Sequence, residues 1–192
     1  MCHDPLSLQD LIEELKEEDI LDILSSFSCK KDKDIKRFLK NKAICFEKLA
    51  KTRTYLLVKR DTLEKCGKIE VVAFFSVAPQ VLKLPSNLTE EDIQKLDGYK
   101  GSIRGKKLTS LPVILIGQLA KNNVYKNDIS GDEILSHAIS IATKSHKIVG
   151  GRMVMIDVKT DVEKLINFYA RNGFRRIYDD PNSGFTQMIY MF

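Results

Sequence analysis

The stretch 112-PVILIGQLAKNNVYKNDISGDEILSHAISIATKSHKIVGGRMVMIDVKTDVEKLINFYARNGF-174 decides the fold. Residues 112–120 form the most continuously apolar run of the chain, the pattern of a central, fully buried strand. A polar turn follows, and Ser130 with Glu133 three positions on makes a capping box that opens a helix. Ile134, Leu135, Ala138, Ile139 and Ala142 recur at helical spacing and supply its buried face. Residues 152–158 return to strand composition. Thr160 with Glu163 predicts a second capping box, Val162, Leu165, Ile166 and Tyr169 the inner stripe of a second helix, and Gly173 its C-cap.

Outward from this unit the chain alternates similarly. Leu8, Leu11, Ile12 and Leu15, then Ile20, Leu21 and Leu24, give one or two amphipathic helices within residues 7–25. Residues 32–51 read as helix, with Ile35, Phe38, Leu39, Ala43, Phe46 and Leu49 under a lysine-rich face. Residues 52–59 and 68–77 are β-branched and aromatic and predict an antiparallel pair bracketing a polar loop that contains Gly67. Thr89 is placed to cap a short helix. Residues 98–107 form a Gly-rich basic loop. Residues 174–178 and 185–191 close the chain as two strands around Asp179, Asp180, Pro181 and Asn182. With no repeat and no Pro/Ser linker, the expectation is one α+β domain over 1–192, carrying an acidic helical N-terminal extension of about residues 1–26.

The chain has 192 residues, of which 43% are hydrophobic and 30% charged, enough to bury a core without metal or disulfide staples. That excludes a low-complexity or disordered chain. No apolar run approaches the ~18 residues of a membrane span, and Met1, Cys2, His3 and Asp4 lack a signal-peptide pattern, so a cytoplasmic address is expected. Cys2, Cys29, Cys45 and Cys66 show no CxxC spacing, and no HExxH accompanies the three histidines; no metal site is expected. The net charge of +5 conceals an asymmetry: residues 1–29 carry one basic and eight acidic groups, −7, and the rest carries +12. A body that basic suits a polyanion or a solvated surface, and charge alone does not choose.

A buried strand running into a short turn and a capped helix presents the helix's first N–H groups and its dipole to an anion. Lys126 and Ser130 add side-chain donors. Downstream stands Phe168-Tyr169-Ala170-Arg171-Asn172-Gly173-Phe174. Together these segments resemble the GNAT acetyltransferase superfamily, in which a turn after the fourth strand cradles the acetyl-CoA pyrophosphate and an F-Y-x-x-x-G-F segment brings a tyrosine to the CoA thiol. Ile116, Gly117, Gln118, Leu119 and Ala120 are similar to the family's pantetheine-binding strand. Phe27-Ser28-Cys29, Ile35, Phe38-Leu39, Ala43 and Thr54-Tyr55-Leu56-Leu57-Val58 are similar to the acetyltransferase toxins of bacterial type II toxin–antitoxin pairs, which acetylate the α-amine of aminoacyl-tRNA. The resemblance covers about residues 25–192.

What the resemblance implies is concrete. The fold is a central mixed, largely antiparallel sheet flanked by helices. Acetyl-CoA is the co-substrate, held by Leu119, Ala120, Lys121, Lys126, Asn127, Asp128, Ile129, Ser130, Gly131 and Asp132. Tyr169 is the catalytic acid for the departing thiolate, and the backbone at Ala120 and Lys121 supplies an oxyanion donor. Partners are an amine acceptor such as tRNA, an antitoxin, and a second copy in a homodimer, with no membrane. The family's turn reads Gln/Arg-x-x-Gly-x-Gly or Ala, whereas here Ile129 replaces the first glycine and Asp128 adds a negative charge. Each departure weakens CoA binding, by about 1 kcal/mol or more if backbone approach is blocked. Two other readings therefore stay open: a catalytically weakened GNAT-fold binding or regulatory module, and an acetyltransferase for a protein or small-molecule amine.

Overall fold

A computed structural model describes residues 3, 5–30 and 32–192; Met1, Cys2, Asp4 and Lys31 lie outside them. The elements are β1 (Pro5–Ser7), α1 (Leu8–Glu14), α2 (Glu17–Ser25), α3 (Lys33–Asn41), α4 (Ala43–Lys48), β2 (Arg53–Val58), α5 (Arg60–Cys66), β3 (Val71–Lys83), α6 (Glu90–Asp97), β4 (Ser102–Ile103), β5 (Lys106–Lys107), β6 (Ser110–Lys121), a 3-10 turn (Asn123–Tyr125), α7 (Gly131–Val149), β7 (Met153–Lys159), α8 (Glu163–Arg171), β8 (Arg175–Asp180) and β9 (Phe185–Met191). Seven strands form one sheet in the order β1-β2-β3-β6-β7-β9-β8. The pairs β1–β2, β2–β3, β7–β9 and β8–β9 are antiparallel, and β6–β7 is parallel through Ile114↔Val154 and Leu115↔Met155. This is the expected α+β class, with a mostly antiparallel sheet flanked by helices.

Two compact units make up the described chain: residues up to Ala78 together with Ile116–Ile141, and Pro79–Leu115 together with Ala142–Phe192. In the first, most of the predicted apolar stripe residues of the N-terminal helices turn inward, whereas Leu21 and Leu49 are exposed. Leu8, Leu11, Ile20, Leu24, Phe38, Leu39 and Ala43 are buried with Leu56, Val58 and Phe74 from β2 and β3. Phe74 is the centre of an aromatic cluster, edge-on to Phe27 at 5.1 Å and stacked on Phe38 at 6.4 Å. Leu8 and Leu24 are completely buried, so the acidic N-terminal helices contribute to this unit's core. Their acidic face meets basic side chains, with Glu17 paired to Lys48. In the second unit Leu82, Leu96, Leu111, Val113, Met153, Met155 and Ile189 form the core.

Several sequence expectations are corrected. Residues 32–51 do not form one helix: the backbone breaks at Lys42 (φ −122°, ψ −27°). Beyond the break Glu47 is buried, and its carboxylate accepts from Thr54 N at 2.8 Å and meets Arg53 Nη1 at 3.1 Å. Burial pushes that carboxyl above the ordinary glutamate range. The polar loop before Gly67 is α5, whose Leu63 packs on the first core and whose end is set by Gly67 at φ 66°. Residues 98–107 contain a tight β4–β5 hairpin turned by Arg104 and Gly105, both at positive φ.

β6 is central in strand order but not fully buried: Leu111, Val113, Ile116 and Ala120 are covered, whereas Gly117 is exposed and Leu115 and Leu119 are half-buried. A run of apolar residues reports composition, and cover depends on what packs against each face. The box at Thr160 does not form. Val162 is the N-cap of α8, and Thr160 Oγ1 instead takes a 3.1 Å hydrogen bond from Thr186 on β9. Leu165 is exposed, leaving Ile166 and Tyr169 as the half-buried members of that stripe.

Candidate active-site elements

In the first unit, β6 ends at Lys121 and passes into a braced turn. Asn122 is 1% exposed, and its amide works in both directions: Nδ2 donates to Val71 O at 2.8 Å, while Oδ1 accepts from Ser28 N and Val124 N at 3.2 and 3.1 Å. Asn123 repeats the arrangement one position on, with its N–H donating to Ser28 O and its Oδ1 accepting from Lys30 N. These bonds fix where the strand stops and where the next six residues start. Sequence reading missed them, because an Asn-Asn pair is an ordinary turn signal until its distant partners are known.

The turn then delivers the N-terminus of α7. Ser130 Oγ accepts from Glu133 N at 3.0 Å, the serine half of the predicted box. The Glu133 carboxylate lies 2.9 Å from His3 Nδ1, a contact between residues 130 positions apart. His3 is 2% exposed, so the chain's first described residue is tied to the first turn of α7. Lys126, Asn127, Ser130 and Asp132 are exposed. Ile129 is 3% exposed, its side chain turned into the core, and it does not take the left-handed conformation that would call for glycine. Asp128 is ion-paired to Lys59 at 2.8 Å. Both departures from the family pattern thus have a local explanation in packing and charge compensation. Of the strand residues, Ala120 is buried in the first core, while Leu119 and Lys121 are half-buried and Lys121 Nζ lies 3.5 Å from Lys126 O.

Tyr169 belongs to the second unit, on the last turn of α8. The helix ends as a Schellman motif: Phe174 N donates to Tyr169 O and Gly173 N to Ala170 O, each at 3.1 Å. Gly173 sits at φ 88°, and a Cβ there would approach Tyr190 Cε2 to 3.3 Å. The glycine of the F-Y-x-x-x-G-F segment therefore satisfies both a backbone and a packing requirement. Its aromatic residues pack edge-to-face, Tyr169 on Phe168 at 4.9 Å and on Phe174 at 5.7 Å, and Phe174 continues to Tyr190 at 5.6 Å. Held among these rings, the phenol is desolvated and its pKa is pushed up to about 12. It keeps its proton throughout the physiological range.

Among the described residues, no three or more His, Cys, Asp or Glu side chains converge to hold a metal ion, and no helix is long and apolar enough to cross a membrane. No family model matches the chain. Solved structures do. The chain is similar to the toxin AtaT complexed with acetyl-methionyl-tRNA (TM-score 0.65, 15% identity, 88% of this chain and 86% of that one). It is similar to AtaTR bound with acetyl-CoA (0.64, 16%, 88% and 86%). It also matches a Tyr-to-Phe mutant of KacT (0.63, 20%, 88% and 86%). AtaT has further been seen bound to the C-terminus of the antitoxin AtaR. At these identities the likeness is one of fold: the chain shares the fold of these toxins.

Proposed function

We propose that the protein is an acetyl-CoA-dependent N-acetyltransferase, one catalytic domain over residues 1–192, whose acceptor is the α-amine of an aminoacyl-tRNA. In this reading it is a toxin held in check by an antitoxin, acts in the cytoplasm and assembles as a homodimer. The observation that carries the reading is Tyr169: a desolvated phenol with its proton firmly held, at the position where the resemblance calls for a donor to the CoA sulfur. Two further features support it. The β6 segment at Gly117 and Leu119 stays partly uncovered, as a strand that receives pantetheine must. The braced turn and the capped start of α7 suit a diphosphate.

The acceptor's neutral amine attacks the thioester carbonyl, forming the C–N bond. The backbone N–H groups at Ala120 and Lys121 receive the developing oxyanion. As the intermediate collapses, the C–S bond breaks and Tyr169 donates its hydrogen bond to the sulfur. Full proton transfer from a phenol of pKa about 12 to a thiolate whose acid has a pKa of about 8.5 is unfavourable by roughly 5 kcal/mol. The thiol's final proton is accordingly supplied by the nitrogen, which must shed one to become an amide. Tyr169 contributes by stabilising charge on sulfur while that exchange occurs. No general base is required when the amine arrives deprotonated and positioned.

Incubating the protein with labelled acetyl-CoA and aminoacyl-tRNA, then hydrolysing the ester, should release N-acetyl amino acids. Bound acetyl-CoA with no label on any charged tRNA would overturn the tRNA part and leave a protein or small-molecule amine as acceptor. Absence of CoA binding at millimolar ligand would instead identify a non-catalytic module.

A further inference from the structure

The ammonium of Lys59 lies inside the turn that precedes α7. Its Nζ is 2.8 Å from Asp128 Oδ2 and 4.2 Å from the centroid of the Tyr125 ring. Lys59 follows the last residue of β2 and so enters the turn from a separate part of the chain. The two paired side chains are 28% and 27% exposed, so water and a small ligand can reach both groups. Lys121 reaches the same turn at the Lys126 carbonyl, and Lys126 itself is exposed. Three lysines thus serve a six-residue turn that contains one carboxylate.

An unpaired Asp128 next to a diphosphate would repel it. Paired with Lys59, it is neutralised, and its position acquires a use. A diphosphate carries more charge than one carboxylate and offers more acceptor oxygens, so it competes for the ammonium. The half-exposed Asp128 can be rehydrated once it loses its partner. The face of Tyr125 attracts the ammonium in either arrangement, which limits the distance it must move. Ile129 meanwhile anchors the turn to the core, giving the ligand a fixed backbone to meet.

Resting on the reading of this turn as the CoA pyrophosphate site, we propose that Lys59 is the phosphate-binding cation of that site and Asp128 its counter-ion in the unliganded protein. On binding, the CoA diphosphate takes the Lys59 ammonium from Asp128. The pair therefore sets CoA affinity in two opposed directions, the lysine raising it and the aspartate lowering it.

Calorimetry with CoA on the full chain and on Lys59→Gln, Lys59→Arg, Asp128→Asn and the Lys59→Gln/Asp128→Asn double variant tests this, with thermal melting of each to verify folding. Lys59→Gln should weaken CoA about 10-fold and Lys59→Arg far less. Asp128→Asn should tighten CoA several-fold, and that gain should vanish in the double variant. In turnover, Lys59→Gln should also shrink the preference for acetyl-CoA over acetyl-pantetheine, which has no diphosphate. If the pair is only a strut, Lys59→Gln and Asp128→Asn will weaken CoA alike, and the proposal fails. Lys59→Gln binding CoA as the wild type does would overturn it as well. A folded wild-type protein that binds no CoA removes the parent reading and this inference together.

Discussion

Tyr169 and Gly173 are four positions apart, and each depends on the other's setting. The proposed role draws on a desolvated phenol, and the Schellman turn at Gly173 brings Phe174 back as one of the rings packed against it. Tyr169→Phe should lower kcat by about 10²-fold with little change in acetyl-CoA affinity, since it removes a donor needed chiefly in the transition state; a full kinetic analysis of the variant checks this. The raised pKa sets the sign of the pH dependence. A donor that stays protonated to about pH 12 gives no alkaline decline in the working range. The rate should therefore rise with pH as the acceptor amine deprotonates and then level off. A pH–rate profile falling below pH 10 would show that the hydrogen-bond donor to sulfur is another group. Gly173→Ala should cost about 1–2 kcal/mol of stability, because alanine resists φ 88° and its methyl presses on Tyr190. Denaturant unfolding measures it.

The elements around the turn owe their placement to bonds that no local pattern encodes. The capped start of α7 was readable because a serine N-cap is a local signal, as were the alternation of β2 and, Leu21 apart, the apolar stripes of α1, α2 and α7. The break at Lys42 and the uncapped entry into α8 were not. In each case a tertiary bond outbid local preference: Glu47 reaching Thr54 N, and Thr160 pairing with Thr186. Nor could Lys59, Tyr125, Asn122 or His3 be assigned to the site region, since each meets its partner through the fold. Asn122 is the test of this element. Asn122→Ala would leave Ser28 N and Val71 O without their side-chain partner and should destabilise the protein by about 2–4 kcal/mol. It should also raise the KM for acetyl-CoA more than the far smaller loss expected from Asn127→Ala, a substitution on the exposed surface of the same turn. Equal effects from the two variants would show that the brace does not position the turn.

Across the molecule, the charge asymmetry acquires a partial assignment. The −7 of residues 1–29 sits largely on α1 and α2, whose apolar sides form core and whose Glu17 meets Lys48. The acidic segment is therefore a working part of the first unit. Of the +12 elsewhere, Lys59, Lys121 and Lys126 converge on one turn. If the remainder steers tRNA, kcat/KM for aminoacyl-tRNA should fall at least about 10-fold between 50 and 200 mM salt, while that for a small amine acceptor changes little, because only the polyanion releases counterions. Parallel salt curves for the two acceptors would count against the tRNA reading. Periodicity, capping residues and the F-Y-x-x-x-G-F spacing were enough for the α+β class and the GNAT resemblance, because helices, strands and caps are set by neighbours in sequence. Tertiary structure alone decided which face of β6 is covered, where the helix over residues 32–51 breaks, and that Asp128 has Lys59 beside it. Such outcomes depend on burial and on charges brought together from distant positions, and their energies do not exist until the chain has folded.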